Sequence, residues 1–165
     1  MMIESNRLTL SLLSNADTSF ILELLNSPGW IEFIGDRGVK TEEDAVAYIQ
    51  NGPLSDFDKH GFCLFKVSLK GSDIPIGLCG LLKRDFLEHP DIGFAFLGEY
   101  GGQGYALESS QAVLSWAHEQ LDIDKVLAIT LAKNERSIGL LEKLGLSYER
   151  IVQYPDGASL CLYSN

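Results

Sequence analysis

Basic residues are scarce in this chain. With 13 Lys and Arg against 23 Asp and Glu, the formal net charge is -10, which argues against a nucleic-acid backbone as the main partner, because proteins that bind that polymer concentrate positive charge. Cysteine and histidine are equally sparse. Cys63, Cys79 and Cys161 are odd in number, far apart and set in apolar stretches, so they read as buried reduced thiols and not as a disulfide. None has a histidine or basic cluster beside it of the kind that activates a nucleophilic cysteine. His60, His89 and His118 show no ligand spacing, so no metal is expected. Long apolar runs are missing too: none approaches the roughly 20 residues of a bilayer span. The first thirteen residues alternate polar and apolar types and lack the apolar centre of a signal peptide. The expectation is a cytoplasmic protein that does not enter a membrane.

What remains is a chain with 45% hydrophobic residues, enough for one globular domain over residues 1–165 with a sizeable core. The acidic excess reads in two ways: as a surface that only keeps such a domain soluble, or as one that in part attracts a cationic amine. Any anionic ligand must then be held locally, by backbone N–H groups and a few well-placed side chains.

The stretch from Leu97 to Leu107, LGEYGGQGYAL, runs from an apolar strand into a glycine-rich turn that opens a long amphipathic helix. Gly101, Gly102 and Gly104 leave backbone N–H groups uncovered, and the helix adds its own unpaired N–H groups and positive dipole end. Such a turn suits a phosphate, although a tight strand-to-helix connection would use the same residues. It lacks the Lys-Ser/Thr ending of a P-loop and the third glycine of a dinucleotide fingerprint.

Residues 7–12 alternate as a half-buried strand. Asn15 or Asp17 caps a helix reaching about Asn26, closed by Pro28-Gly29, and Thr41 caps a second helix ending near Asn51-Gly52-Pro53. Between them, residues 29–40 carry Trp30, Ile31, Phe33 and Ile34 without clean periodicity and read as a short helix on the sheet or as a cleft wall. Residues 62–69 and 74–82 form an antiparallel hairpin, followed by a strand over 91–97. A helix from Gly104 to about Asp122 then crosses over to a strand at 125–131 that lies parallel to 91–97. A helix over 134–144 and a closing hairpin of 146–154 with 158–163 complete the chain. The fold class is α/β: a mixed, mostly antiparallel sheet of about seven strands with a central parallel pair, flanked by helices.

A second motif decides among the readings of the turn. Asn134-Glu-Arg-Ser137, running into Glu142-Lys-Leu-Gly-Leu146, follows Gly102-Gln-Gly104-Tyr105-Ala106-Leu-Glu108. With both motifs in this order, and with Arg7-Leu-x-Leu at the start, the chain resembles a GNAT-superfamily N-acetyltransferase of the RimJ/RimL-type branch, which acetylates protein N-termini and other amines. The resemblance spans nearly the whole chain. It implies acetyl-CoA as donor, with the pyrophosphate on Gly102, Gln103, Gly104, Tyr105 and Ala106. It places pantetheine between the parallel strands, near the N–H groups of Phe96 and Leu97 and beside Asn134 and Ser137. Three departures stand out: Leu146 replaces the usual Phe, Gly101 stands where the family has Gln or Arg and close relatives Trp, and Leu141 replaces the tyrosine that protonates the leaving thiolate in other branches. With that tyrosine gone, Ser137 is the catalytic candidate, donating a hydrogen bond to the leaving sulfur.

Attack on a thioester needs a neutral amine, whereas an α-amino group titrates near pH 8 and a lysine near 10.4. Asp91, Glu99, Glu108 and Glu32 are the candidate proton acceptors, each of which also reads as an ordinary surface acid; Glu108, at a helix N-terminus, would be a weak base. The expected activity is acetyl transfer from acetyl-CoA to a primary amine by direct attack in a ternary complex. The competing class is a non-catalytic acyl-CoA-binding or regulatory module. A nucleotide-binding α/β domain fits less well, because three antiparallel strands precede the turn. Protein N-terminus, lysine, polyamine, amino acid and antibiotic all remain compatible acceptors, and so do a monomer and a homodimer.

Overall fold

The computed structural model describes residues 1–165. In chain order the elements are β1 (Met2–Glu4), β2 (Leu8–Ser11), a 3₁₀ turn (Asn15–Asp17), α1 (Thr18–Leu25), α2 (Pro28–Phe33), α3 (Glu42–Ile49), a π-helical turn (Gln50–Leu54), α4 (Ser55–His60), β3 (Leu64–Leu69), β4 (Pro75–Leu82), β5 (Asp91–Phe96), a 3₁₀ turn (Gly98–Tyr100), α5 (Tyr105–Leu121), β6 (Leu127–Thr130), α6 (Glu135–Lys143), β7 (Ser147–Gln153) and β8 (Ser159–Ser164). The strands form one 8-stranded sheet in the order β1-β2-β3-β4-β5-β6-β8-β7. Every neighbouring pair is antiparallel except β5 with β6. The sheet therefore has one strand more than expected, the short N-terminal edge strand β1.

Central β4 is buried on both sides, and its alternate residues feed two cores. Cys79 and Leu81 join Leu8, Phe65, Val113 and Ala117 on the face covered by α5. Leu78 packs on the other face with Ile21, Leu24, Trp30 and Ile49 of α1, α2 and α3. Two small buried residues, Ser109 and Ser110, let α5 lie close to the sheet, where Ser110 Oγ sits 3.6 Å from Cys79 Sγ. All three cysteines are buried and unpaired. A further close approach occurs at Gly80, where a Cβ atom would fall 1.8 Å from the carbonyl oxygen of Cys63, the residue just before β3, so only glycine fits.

The helical half departs from the expected plan in one place. Thr41 caps α3 as anticipated, through a capping box with Asp44, yet the helix does not stop at Pro53. The chain widens into the π-helical turn, which holds Pro53, and continues as α4 to His60. Residues 29–40 satisfy both readings offered for them: Pro28–Phe33 is a short helix on the core, and its residues also face the cleft described next. No helix is long and apolar enough to cross a membrane.

Candidate functional site

The two parallel strands separate almost as soon as they meet. β5 and β6 share one pair, Asp91 with Leu127, where the Leu127 N–H donates to the Pro90 carbonyl at 2.9 Å. Beyond it β5 stays zipped to β4 as far as Phe96, while β6 pairs with β8 through Thr130. Each strand is held by its outer neighbour, and a gap opens between them.

Strand alternation decides which donors face that gap. The Leu97 N–H donates to the Ile76 carbonyl at 2.9 Å, so in this ladder Leu97, Ala95 and Gly93 turn their N–H groups to β4. Phe94 and Phe96 turn theirs the other way. The free donor expected at Leu97 is therefore absent, because it is already spent on β4; the one expected at Phe96 does face the gap, joined by Phe94. The Phe96 ring lies across Gly77, where a Cβ would come within 2.5 Å of it.

The gap belongs to a cavity of about 810 Å³. Phe96, Asn134 and Ser137 line it, as does Leu141, which is 1% exposed. Asn134 caps α6 by accepting from the Ser137 N–H at 3.2 Å, and the Ser137 hydroxyl has no partner in the protein. From the opposite wall come Trp30, Phe33 and Tyr48. Leu97, Gly102, Gln103, Gly104, Tyr105 and Ala106 are not on this wall; they form the turn that follows β5.

In that turn Gly102 and Gly104 adopt φ of 73 and 84 degrees, the left-handed region that side chains disfavour. The N–H groups from Gly102 to Leu107 have no acceptor in the protein, the first intrahelical bond being Glu108 N–H to Gly104 O at 3.0 Å. Six backbone donors thus surround one exposed turn. Two arginines from distant parts of the chain join them. Arg7 Nη1 donates to the Gln103 carbonyl at 3.0 Å, and the Arg136 guanidinium lies over Gly101, its Nη2 3.4 Å from where a Cβ of that residue would stand.

The four candidate proton acceptors divide cleanly. Asp91 and Glu32 line the cavity; Glu99 and Glu108 do not. Asp91 is 1% exposed, and burial pushes its carboxyl up from 3.8 to about 6, an effect moderated by the Arg84 guanidinium, whose Nε donates to both carboxylate oxygens at 3.1 Å. Arg84 is in turn held by the Tyr154 hydroxyl at 3.2 Å. For Glu108, partial burial would raise the carboxyl, but hydrogen bonds from Ser5 and Arg7 outweigh it and hold the group below its usual range. Glu108 is a poor base, as expected, but the donors that lower it are the Ser5 hydroxyl, the Arg7 backbone N–H and the Arg7 guanidinium, not the helix terminus.

Sequence reasoning missed Arg84, Arg136 and the role of Arg7. Arg136 sits inside the Asn134-x-x-Ser137 motif, and Arg7 opens the N-terminal strand motif; neither position betrays that both converge on a turn in mid-chain. Arg84 carries no signal at all, since its partner Asp91 is fixed only by the loop between β4 and β5.

Known proteins share the fold that holds this site. A family model described as an acetyltransferase (GNAT) domain matches residues 7–147. The chain is 29% identical over 150 residues to the uncharacterized N-acetyltransferase YnaD of Bacillus subtilis, covering 90% of this chain and 84% of that one. Among solved structures, an acetyltransferase from Agrobacterium tumefaciens superposes with a TM-score of 0.85 at 21% identity, over 100% of this chain and 94% of that one. RimL, a ribosomal L7/L12 alpha-N-protein acetyltransferase in complex with coenzyme A, gives 0.85 at 15% identity, over 100% and 97%. At these identities the likeness to the solved structures is one of fold.

Proposed function

The chain belongs to the acetyltransferase (GNAT) domain family, and from that premise we propose that it transfers an acetyl group from acetyl-CoA to a primary amine, at a protein N-terminus or on a small molecule, by direct attack in a ternary complex. One observation carries the reading: the parting of β5 from β6 brings backbone donors, an uncommitted hydroxyl and a buried carboxylate to a single cavity.

When bound, the coenzyme A thioester supplies an activated acetyl group and a tolerable leaving thiolate. The turn from Gly102 to Ala106 receives its pyrophosphate on backbone N–H groups, while Asn134 and the Phe96 N–H hold the pantetheine arm. The inward N–H of Phe94 or Phe96 stabilises the carbonyl oxygen as negative charge builds on it. Asp91, at the far end of β5 and about 10 Å from Phe94 and about 16 Å from Phe96 at ~3.3 Å per strand residue, is out of direct reach of an amine at either donor and receives its proton through a chain of waters along the cavity. The Ser137 hydroxyl donates to the sulfur as the thiolate forms.

The cavity wall carries Glu32, Asp56, Asp91 and Asp156 against Arg37 and Arg84, and Arg84 is already committed to Asp91. This bias, with the net charge of -10, favours a cationic acceptor. The competing reading, a module that binds acyl-CoA without turnover, draws on Leu141, which offers no acid where other branches have tyrosine. Free-thiol release from acetyl-CoA across a panel of amines separates the two. Steady release with at least one amine supports transfer; binding of coenzyme A without release from any of them supports the module.

A further inference from the structure

A second polar cluster, outside the cavity, fastens the N-terminal segment to the start of α5. Glu108 accepts three hydrogen bonds there: from Ser5 Oγ at 2.5 Å, from the Arg7 N–H at 2.8 Å and from Arg7 Nε at 2.7 Å. The Arg7 guanidinium carbon stacks 4.5 Å from the Tyr105 ring centroid, and its Nη1 donates to the Gln103 carbonyl. Two of the three guanidinium nitrogens and one face are thereby fixed. The third, Nη2, lies 3.3 Å from where a Cβ of Gly104 would stand, beside one of the uncommitted N–H groups.

This arrangement is unusual for a surface arginine, whose long stem ordinarily leaves the head group free. It also sets a carboxylate beside a turn built for an anion, which is electrostatically unfavourable unless that carboxylate does something else. On the other side of the turn Arg136 has no salt-bridge partner, and its Nη2 approaches Gly101 and Gly102, at 3.4 Å and 3.8 Å from their Cβ positions. A side chain at position 101 would stand in van der Waals contact with it. In a protein this acidic, a polyphosphate needs such local cations.

We infer that Arg7 and Arg136 are the side-chain ligands of the donor's phosphates, gripping them from two sides of the turn, and that Glu108 is a positioning residue that acts through Arg7. The inference rests on the acetyl-CoA reading given above. It makes the N-terminal segment, some hundred residues away in sequence, part of the donor site.

The sign of one substitution tests it. Glu108→Gln removes a negative charge next to the phosphates, so by simple Coulombic reasoning it should tighten coenzyme A binding; loss of positioning should weaken it. Calorimetric titration with coenzyme A is expected to show affinity falling about tenfold for Arg7→Met and for Arg136→Met, in the range of a hydrogen bond to a charged group, and several-fold for Glu108→Gln. The double variant Arg7→Met/Glu108→Gln should bind no worse than Arg7→Met alone, because Glu108 has nothing left to position. With S-acetyl-pantetheine, which lacks the phosphates beyond the arm, all variants should match the wild type, and that match also shows that they are folded. Unchanged or tighter coenzyme A binding by Glu108→Gln removes it as a positioning residue, and unchanged binding by Arg7→Met or Arg136→Met overturns the assignment of that arginine. If the wild type itself does not bind coenzyme A, it is the acetyl-CoA reading that falls.

Discussion

Replacing Asp91 by asparagine should alter both rate and stability, each with its own pH signature. The carboxyl is 1% exposed and ionises near 6 in the folded protein, against 3.8 without the fold. Were it the proton acceptor, kcat would fall about tenfold per pH unit below 6 and level off above, when assayed with a weakly basic amine whose own titration lies outside the window. Asp91→Asn should abolish that limb and lower the plateau by roughly one to two powers of ten, less than a base in direct reach of the proton supplies. The stability argument runs in the opposite direction. Because the folded pKa is raised, the folded state retains a proton that the unfolded chain has already released. Its contribution is fully present below about 3.8 and is lost as pH rises through about 6, a change on the order of 3 kcal/mol. Urea unfolding at pH 4 and at pH 7.5 should show a component of that size and sign in the wild type and not in Asp91→Asn, whose amide oxygen still accepts from Arg84. A variant with the same acid limb and plateau as the wild type would refute Asp91 as the base. Identical pH dependence of stability in the two proteins would refute the buried, ionisable environment on which the argument stands.

Ser137→Ala should lower kcat by about one or two powers of ten, the worth of a hydrogen bond to developing charge, while coenzyme A affinity measured by titration stays nearly intact; full kcat would leave sulfur protonation to water. Gly80→Ala should destabilise the fold by about 3 kcal/mol in urea unfolding, since its Cβ would fall 1.8 Å from the backbone carbonyl of Cys63, which leads into the adjacent strand; a loss below about 1 kcal/mol would mean that β3 and β4 slide apart easily. If the acceptor is cationic, its KM should rise with salt as the charges of Glu32, Asp56 and Asp156 are screened, and a salt-independent KM would point to a neutral acceptor.

Much of the fold could be read from local pattern, and the exceptions have physical causes. The periodic strands and α5 lie close to their expected positions because each buries a continuous stripe. β1 escaped notice because three residues are too few to establish a period, and pairing with β2 is what defines the strand. α4 was hidden by Pro53, which reads as a helix stop until the chain widens around it. The order of the last hairpin was legible in principle. β8 carries Leu160, Cys161, Leu162 and Tyr163 and lies inside the sheet, whereas β7 carries Glu149, Arg150 and Gln153 and takes the edge, where charge guards against further pairing.

The site was legible only where one segment contains its own chemistry. The glycine turn and the Asn134 cap are local devices, so their residues could be named from the sequence. Contacts such as Ser5 and Arg7 with Glu108, over a hundred residues apart, depend on the sheet bringing the first loop to the start of α5, and no periodicity announces that. Leu97 shows how fine the limit is. Whether its N–H or that of Phe96 faces the gap turns on strand parity, and the parity of β5 is set by its ladder with β4: Gly77 opposite Phe96 lets the ring lie flat, and Ile76 then takes the Leu97 N–H. A shift of one residue in that pairing would exchange the two donors and turn Phe96 to the other face of the sheet. The donor facing the gap is thus fixed by pairing along the opposite edge of β5.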